Sequence, residues 1–353
     1  MLQEALFFVV KVIVFYVGWF LICKLSYVLR GIQVGRIHQR TFRDGRTFTA
    51  VEGDLTVALV HKEIYCDDCY FSHGVSLEGR KNPLILDVGG NCGLVSAWVG
   101  EHYPTATIHI FEPVPTLVEC ARRNLAKFGV FVIDDPSNAP VKSPAGSRMI
   151  LHKVALGEKE SKVSFTFEPM TTAGSSLNAE SIVKAPKDLE MIAALRAMLY
   201  DAVDGESLPR FPTRLICALL NIPYLRVPVF IAIIPLLVML FLYYAAAGAK
   251  KDTFNCTVRP LSAILEEQGL TGKKIDFIKI DVEGGEWDVL KGLSDENWRC
   301  IDQMVIEVHD GNDGRIAKVH TILKNRGFKN IVEVDDDLQL HRIFKVSIIY
   351  ATR

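Results

Sequence analysis

LILDVGGNCG (84–93) runs from a nearly continuous apolar stretch into a glycine-rich turn, and helical spacing follows to about Gly100. A short apolar run that ends in glycines before a helix is expected to be a buried strand. The same alternation recurs outward from it. ATIHIF (106–111) precedes the helical VPTLVECARRNLAKF (114–128), and RMILHKVAL (148–156) and VSFTFEP (163–169) flank the turn-like GEKES. IDFIKIDV (275–282) leads into a helix around Glu286 to Leu293, and QMVIEVH (303–309) into one from about Gly314 to Arg326. The chain closes with KNIVEV and FKVSIIYA around Asp335-Asp336-Asp337, a β-hairpin pattern. Alternating strands and helices with a terminal antiparallel pair predict an α/β fold with a doubly wound sheet of about seven strands. FVIDDPSNAPVKSPAGS (131–147) reads as a surface loop.

In open α/β sheets ligands bind beyond the carboxyl ends of the strands, where the topology reverses. Asp87, Gly89, Asn91 and Gly93 stand at such an end, spaced D-x-G-x-N-x-G, which differs from the G-x-G-x-x-G dinucleotide fingerprint. The next strand ends at Glu112, whose carboxylate is placed to accept hydrogen bonds from a ribose diol. The plainer reading of Glu112 is a solvated strand-end acid; two matching signals at neighbouring strand ends favour a nucleotide-type ligand.

Composition excludes other classes. The 353 residues carry 40 Lys+Arg against 41 Asp+Glu, a net charge of −1, so the basic excess needed to hold a phosphate backbone is missing and no nucleic acid is expected. The string Asn221-Ile-Pro-Tyr224 is a superficial match to a DNA methylation motif and lies in the wrong context. Mean hydropathy is +0.21, high for a soluble domain, and two segments account for it. ALFFVVKVIVFYVGWFLIC (5–23) has Lys11 as its only charge and is about the ~20 residues long that a bilayer crossing needs. Lys24, Arg30, Arg36, Arg40, Arg43 and Arg46 follow it, so the positive-inside rule places the rest of the chain in the cytoplasm. VPVFIAIIPLLVMLFLYYAAAGA (227–249) is uncharged and contains Pro228 and Pro235, which suits a bent, membrane-dipping element. If the glycine loop and the 275–283 stretch share one sheet, the chain between them crosses the bilayer an even number of times or not at all. Eight scattered cysteines read as free thiols of a reducing compartment, and Cys66, Cys69 and His73 lack the partners a zinc site requires.

ILDVGGNCGLVS, FEPVPTLVECARRNL, KVALGEKESKVSF and above all IDFIKIDVEGGEWDVLKG (275–292) followed by VIEVHD together resemble the FkbM-type S-adenosylmethionine-dependent methyltransferases. The resemblance covers about residues 82–180 and 253–352 and implies a Rossmann-like class I methyltransferase fold. It further implies that S-adenosyl-L-methionine is the cofactor, that Asp87, Gly89, Asn91 and Gly93 line its methionine and ribose part, that Glu112 holds the ribose hydroxyls and that Ala155 lies near the adenine. Gly90 stands where the family commonly has alanine. The chain then divides into an anchor (1–30), a basic juxtamembrane lead-in (31–82), a first catalytic part (83–182), a hydrophobic membrane-associated insertion (183–252) and a second catalytic part (253–353).

Asp281 and Glu283 lie two apart at a strand end, where an extended backbone would point both to one face. Glu307 and His309 repeat the relation on the next strand. Placed beside a sulfonium, such acids can take a proton, position a hydroxyl or bind a divalent metal, and a histidine of ordinary pKa suits proton removal near neutrality. The competing role of these acids is to cap helices and brace loops; Trp287 reads as core. The expectation is a membrane-anchored, cytosol-facing enzyme that methylates an oxygen of a small or lipid-like acceptor, its partners being the lipid bilayer and that acceptor. The alternatives are N- or C-methylation of a quinone or lipid headgroup, and a non-catalytic membrane scaffold. The sequence leaves metal dependence and oligomeric state open.

Overall fold

The computed structural model describes residues 35–42, 44–54, 56–134, 143–167, 169, 172, 252–309, 314–335 and 346–353. Both long hydrophobic segments, 5–23 and 227–249, lie outside them. No helix among the described residues is long and apolar enough to cross a membrane.

The central strand is β3 (Leu84–Val88), whose five residues are all buried. Parallel partners lie on both sides of it, β4 (Thr107–Phe111) and β10 (Phe277–Ile280), with Asp87 opposite Ile110 and Lys279. A strand covered on both faces favours apolar residues on each of them, which is why this run, Asp87 apart, does not alternate. Its odd and even positions feed two cores: Ile85 packs with Ile108, Ile110, Phe277 and Val305, and Leu86 with Ile278, Ile280, Ile306 and Ile349.

The sheet has eight strands in the order β12-β13-β11-β10-β3-β4-β6-β5. Beyond β10 come β11 (Gln303–His309), then β13 (Val346–Thr352) and β12 (Asn330–Asp335), the expected antiparallel closing pair. Beyond β4 lie β6 (Met149–His152) and, as a correction to the surface-loop reading of 131–147, a three-residue edge strand β5 (Phe131–Ile133). β5 is too short to register as a strand by periodicity and takes its conformation from pairing with β6. The two directions of chain progress meet between β3 and β10, so the topology reverses there.

A three-stranded sheet, β7 (Ala155–Leu156), β9 (Asp252–Arg259) and β8 (Ser161–Phe167), lies apart from the large one. The lead-in also folds. A hairpin of β1 (Ile37–Thr41) and β2 (Thr47–Val51) is followed by the helix α1 (Val57–Tyr65). Asn124 fastens this hairpin to the domain. It ends the helix α3 (Pro115–Asn124), accepts from the Thr49 N–H at 2.7 Å, and donates to the carbonyls of Thr49 at 2.9 Å and Cys92 at 2.8 Å. The remaining helices are α2 (Leu94–His102), α4 (Leu261–Glu267), α5 (Glu286–Lys291), α6 (Asp295–Cys300) and α7 (Arg315–Asn325).

Candidate active site

The glycine loop leaves β3 and is tied at once to its neighbours. The Gly89 and Gly90 N–H groups both donate to the Phe111 carbonyl at 3.0 Å, and the Asp281 N–H donates to the Val88 carbonyl at 3.0 Å. Gly89 has φ +82°, and a Cβ placed on it would stand 1.7 Å from the Asp281 carbonyl oxygen. The glycine is therefore required by the close approach of a second strand end as well as by the loop's own turn. At Gly90 a Cβ would come within 2.3 Å of Ile110 Cγ2, so an alanine there would require Ile110 to move.

Behind the loop lies a buried charge cluster. Asp87 is 1% exposed and accepts from the Ser96 hydroxyl of α2 at 2.6 Å. Lys279, 3% exposed, donates to the Gly89 carbonyl at 2.7 Å, and its ammonium lies 3.2 Å from Asp281 and 3.7 Å from Asp87. Burial alone would discharge that lysine, but the Asp281 and Asp87 carboxylates outweigh it and hold its pKa above the ordinary value. Burial raises the Asp87 carboxyl, with Lys279 and Ser96 opposing. One cation thus joins the ends of the two strands that flank the switch point.

Glu112 is 5% exposed at the end of β4, where its two oxygens accept from the N–H groups of Asn91 at 2.8 Å and Val114 at 2.9 Å. Burial pushes its pKa up to about 7 in spite of these donors. Asn91 itself turns through φ +46°, its side chain accepting from the Cys92 N–H at 2.7 Å.

The extended geometry expected of Asp281 and Glu283 is not found. The strand ends at Ile280, and Glu283 adopts the left-handed region at φ +52°, which costs a non-glycine residue on the order of 1 kcal/mol or more. Surrounding contacts impose it. Glu283 lies 3.0 Å from His309 Nε2, Glu286 lies 3.1 Å from His309 Nδ1 and accepts from the Gly284 N–H at 2.7 Å, and Arg315 donates to the carbonyls of Gly284 at 2.8 Å and His309 at 3.1 Å. Burial pulls the His309 pKa down, yet two carboxylates on one ring leave it well above its ordinary value. The general-base reading of His309 is corrected on this point: both ring nitrogens are engaged and the charged form is favoured, so the ring braces the loop and has no free nitrogen with which to take a proton.

These elements enclose one cavity between α1 and the carboxyl edge of the sheet. Gly89, Asn91, Glu112 and Ala155 line it, as do Asp281, Glu283 and Glu307. Asp87, Gly93 and His309 do not: Asp87 and His309 face the networks just described, and Gly93 starts α2 at φ +79°, where a Cβ would stand 3.2 Å from Ala121. The side of the cavity built by the lead-in, with Thr56, Val57, Val60, Glu63, Ile64 and Tyr70, was not read from the sequence. Lys279 was also missed; its place within a buried strand, two residues before Asp281, was the available signal. Among the described residues no group of three or more His, Cys, Asp or Glu is arranged to hold a metal ion, at Cys66 and Cys69 or elsewhere.

Comparison with known proteins shows what the chain is similar to. Residues 239–329 match the Methyltransferase FkbM domain. Methyltransferase 1 of Beauveria bassiana (strain ARSEF 2860) is 25% identical over 293 residues, covering 82% of this chain and 89% of its own. The 31-O-demethyl-FK506 methyltransferase FkbM of Streptomyces tacrolimicus is 28% identical over 276 residues, covering 78% and 83%. Methyltransferase sdnD of Sordaria araneosa is 27% identical over 280 residues, again covering 78% and 83%. By its matches the chain is a methyltransferase. It is similar to the FkbM-type methyltransferases over that segment and to these relatives over most of its length.

Proposed function

We propose that this chain is a membrane-anchored, cytosol-facing methyltransferase that uses S-adenosyl-L-methionine to methylate an oxygen of a small or lipid-like acceptor. The observation that carries the reading is the convergence, on one cavity at the switch point, of the glycine loop, the ribose-suited Glu112 and the carboxylates Asp281, Glu283 and Glu307. The residues suit this methyl donor: Gly89 and Asn91 keep the loop low, and Glu112 is a buried acceptor at the cavity wall. When bound, the donor supplies a methyl group already activated on a sulfonium. The protein's share is alignment and proton removal. Glu112 accepts from the ribose hydroxyls, and Ala155 leaves room for the flat base. Asp281, held by Lys279, is the first candidate to take the acceptor's proton, with Glu283 and Glu307 beside it. Asp87 and Gly93 support the loop from behind. The hydropathy of residues 5–23 and 227–249 and the basic run after the first of them support the membrane and its cytoplasmic face.

Sealed vesicles with the cytoplasmic face outward test the whole reading. Added methyl-labelled donor, which does not cross a bilayer, is expected to label a membrane product on oxygen without detergent, and Asp281→Ala is expected to reduce labelling at least a hundredfold. A need for detergent overturns the orientation; label on nitrogen or carbon favours the alternative chemistry; and failure to bind the donor in calorimetry favours a scaffold.

Glu112 gives the binding a pH signature. Ribose hydroxyls need its carboxylate as acceptor, and burial sets that ionisation at about pH 7. Affinity for S-adenosylhomocysteine, the demethylated product, is therefore expected to be full above pH 8 and to fall several-fold by pH 6. Calorimetry across that range checks it, with Glu112→Gln weak and flat; a flat wild-type profile removes Glu112 from the site.

A further inference from the structure

We propose that Glu286 is a positioning residue: it anchors the His309 ring and, through that ring, fixes the Glu283 carboxylate on the cavity wall. Its part in methyl transfer rests on the methyltransferase reading above; its hold on the ring does not. Glu286 opens α5 and is 0% exposed. Its Oε1 accepts from the Gly284 N–H at 2.7 Å and lies 3.1 Å from His309 Nδ1. On the far side of the ring, Nε2 lies 3.0 Å from Glu283 Oε2. Of these three side chains, Glu283 borders the cavity and the other two do not. The order from interior to cavity is therefore carboxylate, imidazole, carboxylate, and Glu286 reaches the cavity through His309.

Hydrogen-bond chemistry sets the state of the ring. An ionised carboxylate can only accept, so an imidazole with one on each nitrogen needs a proton on both. Glu286 adds what a neutral residue of its shape would lack. Its Oε2 is buried without a hydrogen-bond partner among the described residues, and an amide would serve the Gly284 N–H equally well. What only the carboxylate brings is negative charge against Nδ1, at a depth where water screens it little. The other charged groups are placed differently. Glu307 Oε1 stands 3.7 Å from Nε2, on the Glu283 side of the ring. Arg315 donates to the carbonyls of Gly284 and His309, and Asp281, also close to Glu283, is held by Lys279 at 3.2 Å. Were Glu286 a glutamine, the Gly284 N–H would keep the amide oxygen in the place of Oε1. A neutral ring would then hold its proton on Nδ1 and turn a lone pair on Glu283. That carboxylate would lose the contact that keeps its backbone in the left-handed region at φ +52°.

The test is nuclear magnetic resonance of the full chain in nanodiscs with nitrogen-labelled histidines, His309 being assigned through bonds from its own backbone. In the wild type both ring nitrogens of His309 are expected to carry protons at pH 7. In Glu286→Gln the ring is expected to lose its second proton at a pH at least about one unit lower, because one of two facing carboxylates is gone. Methyl transfer by the same samples to lipids extracted from the native membranes gives the second readout. Above the variant's ring transition its kcat is expected to fall at least about tenfold, with the KM for the donor unchanged. A neutral His309 in the wild type at pH 7, or a transition unmoved by Glu286→Gln, overturns the inference. So does a shifted ring with unchanged kcat, and so does lost thermal stability with the transition in place, which would mark Glu286 as a brace of the loop only. If Glu286→Gln does not fold, the wild-type ring decides. Absence of transfer by the wild type refutes the methyltransferase reading separately, and the ring measurement still decides the hold of Glu286 on His309.

Discussion

Replacing Gly89 by alanine is expected to cost about 4 kcal/mol of folding stability and to abolish binding of the methyl donor. Two effects add. The φ of +82° is a left-handed conformation that costs an L-residue roughly 1–2 kcal/mol. The new Cβ would also stand 1.7 Å from the Asp281 carbonyl oxygen, a backbone atom with no rotamer to change. Relief requires β3 and β10 to part at their carboxyl ends, and that separation takes Lys279 away from Gly89 and opens the cavity floor. Gly129 is the natural control: it shares a positive φ of +71° but faces open space, so Gly129→Ala isolates the conformational cost. Thermal unfolding of both variants checks the difference; equal losses would mean that the strand ends do not approach as closely as described.

Lys279→Met is expected to be of similar size, about 3–5 kcal/mol, because it removes one partner of a buried charge cluster and leaves the other uncompensated. Methionine keeps most of the side-chain volume, so the loss is mainly electrostatic. It strands the Gly89 carbonyl and sets Asp87 against Asp281. The pH dependence identifies the cause. In the wild type the lysine pKa is raised, so its contribution is present throughout the neutral range and is lost only as pH rises beyond the ordinary lysine value. In the variant the buried Asp87 carboxyl, already raised, rises further. The folded state then binds more protons than the unfolded one, and stability falls as pH increases. The deficit relative to wild type is thus expected to be larger at pH 8 than at pH 5, and Lys279→Met combined with Asp281→Asn is expected to recover part of it. A deficit independent of pH would show that Lys279 acts through packing alone.

The parts of this fold that could be read from residues are those where a single physical demand acts on every position. β3, β10 and β11 are buried on both faces, and their text is apolar except at Asp87, Lys279, Gln303, Glu307 and His309. β5 is legible only through its partner, since three residues are too few to carry a period. The lead-in hairpin was silent because IHQRT is largely polar and half exposed, held by Asn124 from seventy-five residues away. Of the residues that line the cavity, Gly89, Asn91, Glu112, Asp281, Glu283 and Glu307 were picked out by their place at strand ends. Lys279 escaped because a lysine within an apolar strand makes sense only once Asp87 is known to lie beside it. Tyr70 escaped because nothing local distinguishes it from Phe71 beside it. The left-handed turn at Glu283 is a product of the His309 and Glu286 contacts and has no signature in spacing.

The pairing of β3 with β10 also bears on how the protein is made. Val88 and Ile280 are register partners, so the central strand acquires its second neighbour only when translation has passed residue 280 of 353. Until then one side of β3 is an unpaired edge of buried-type sequence, the kind of surface that invites misassembly and chaperone attention. Folding of the catalytic sheet is therefore a late event in synthesis, and truncated chains ending before β10 are expected to be degradation substrates.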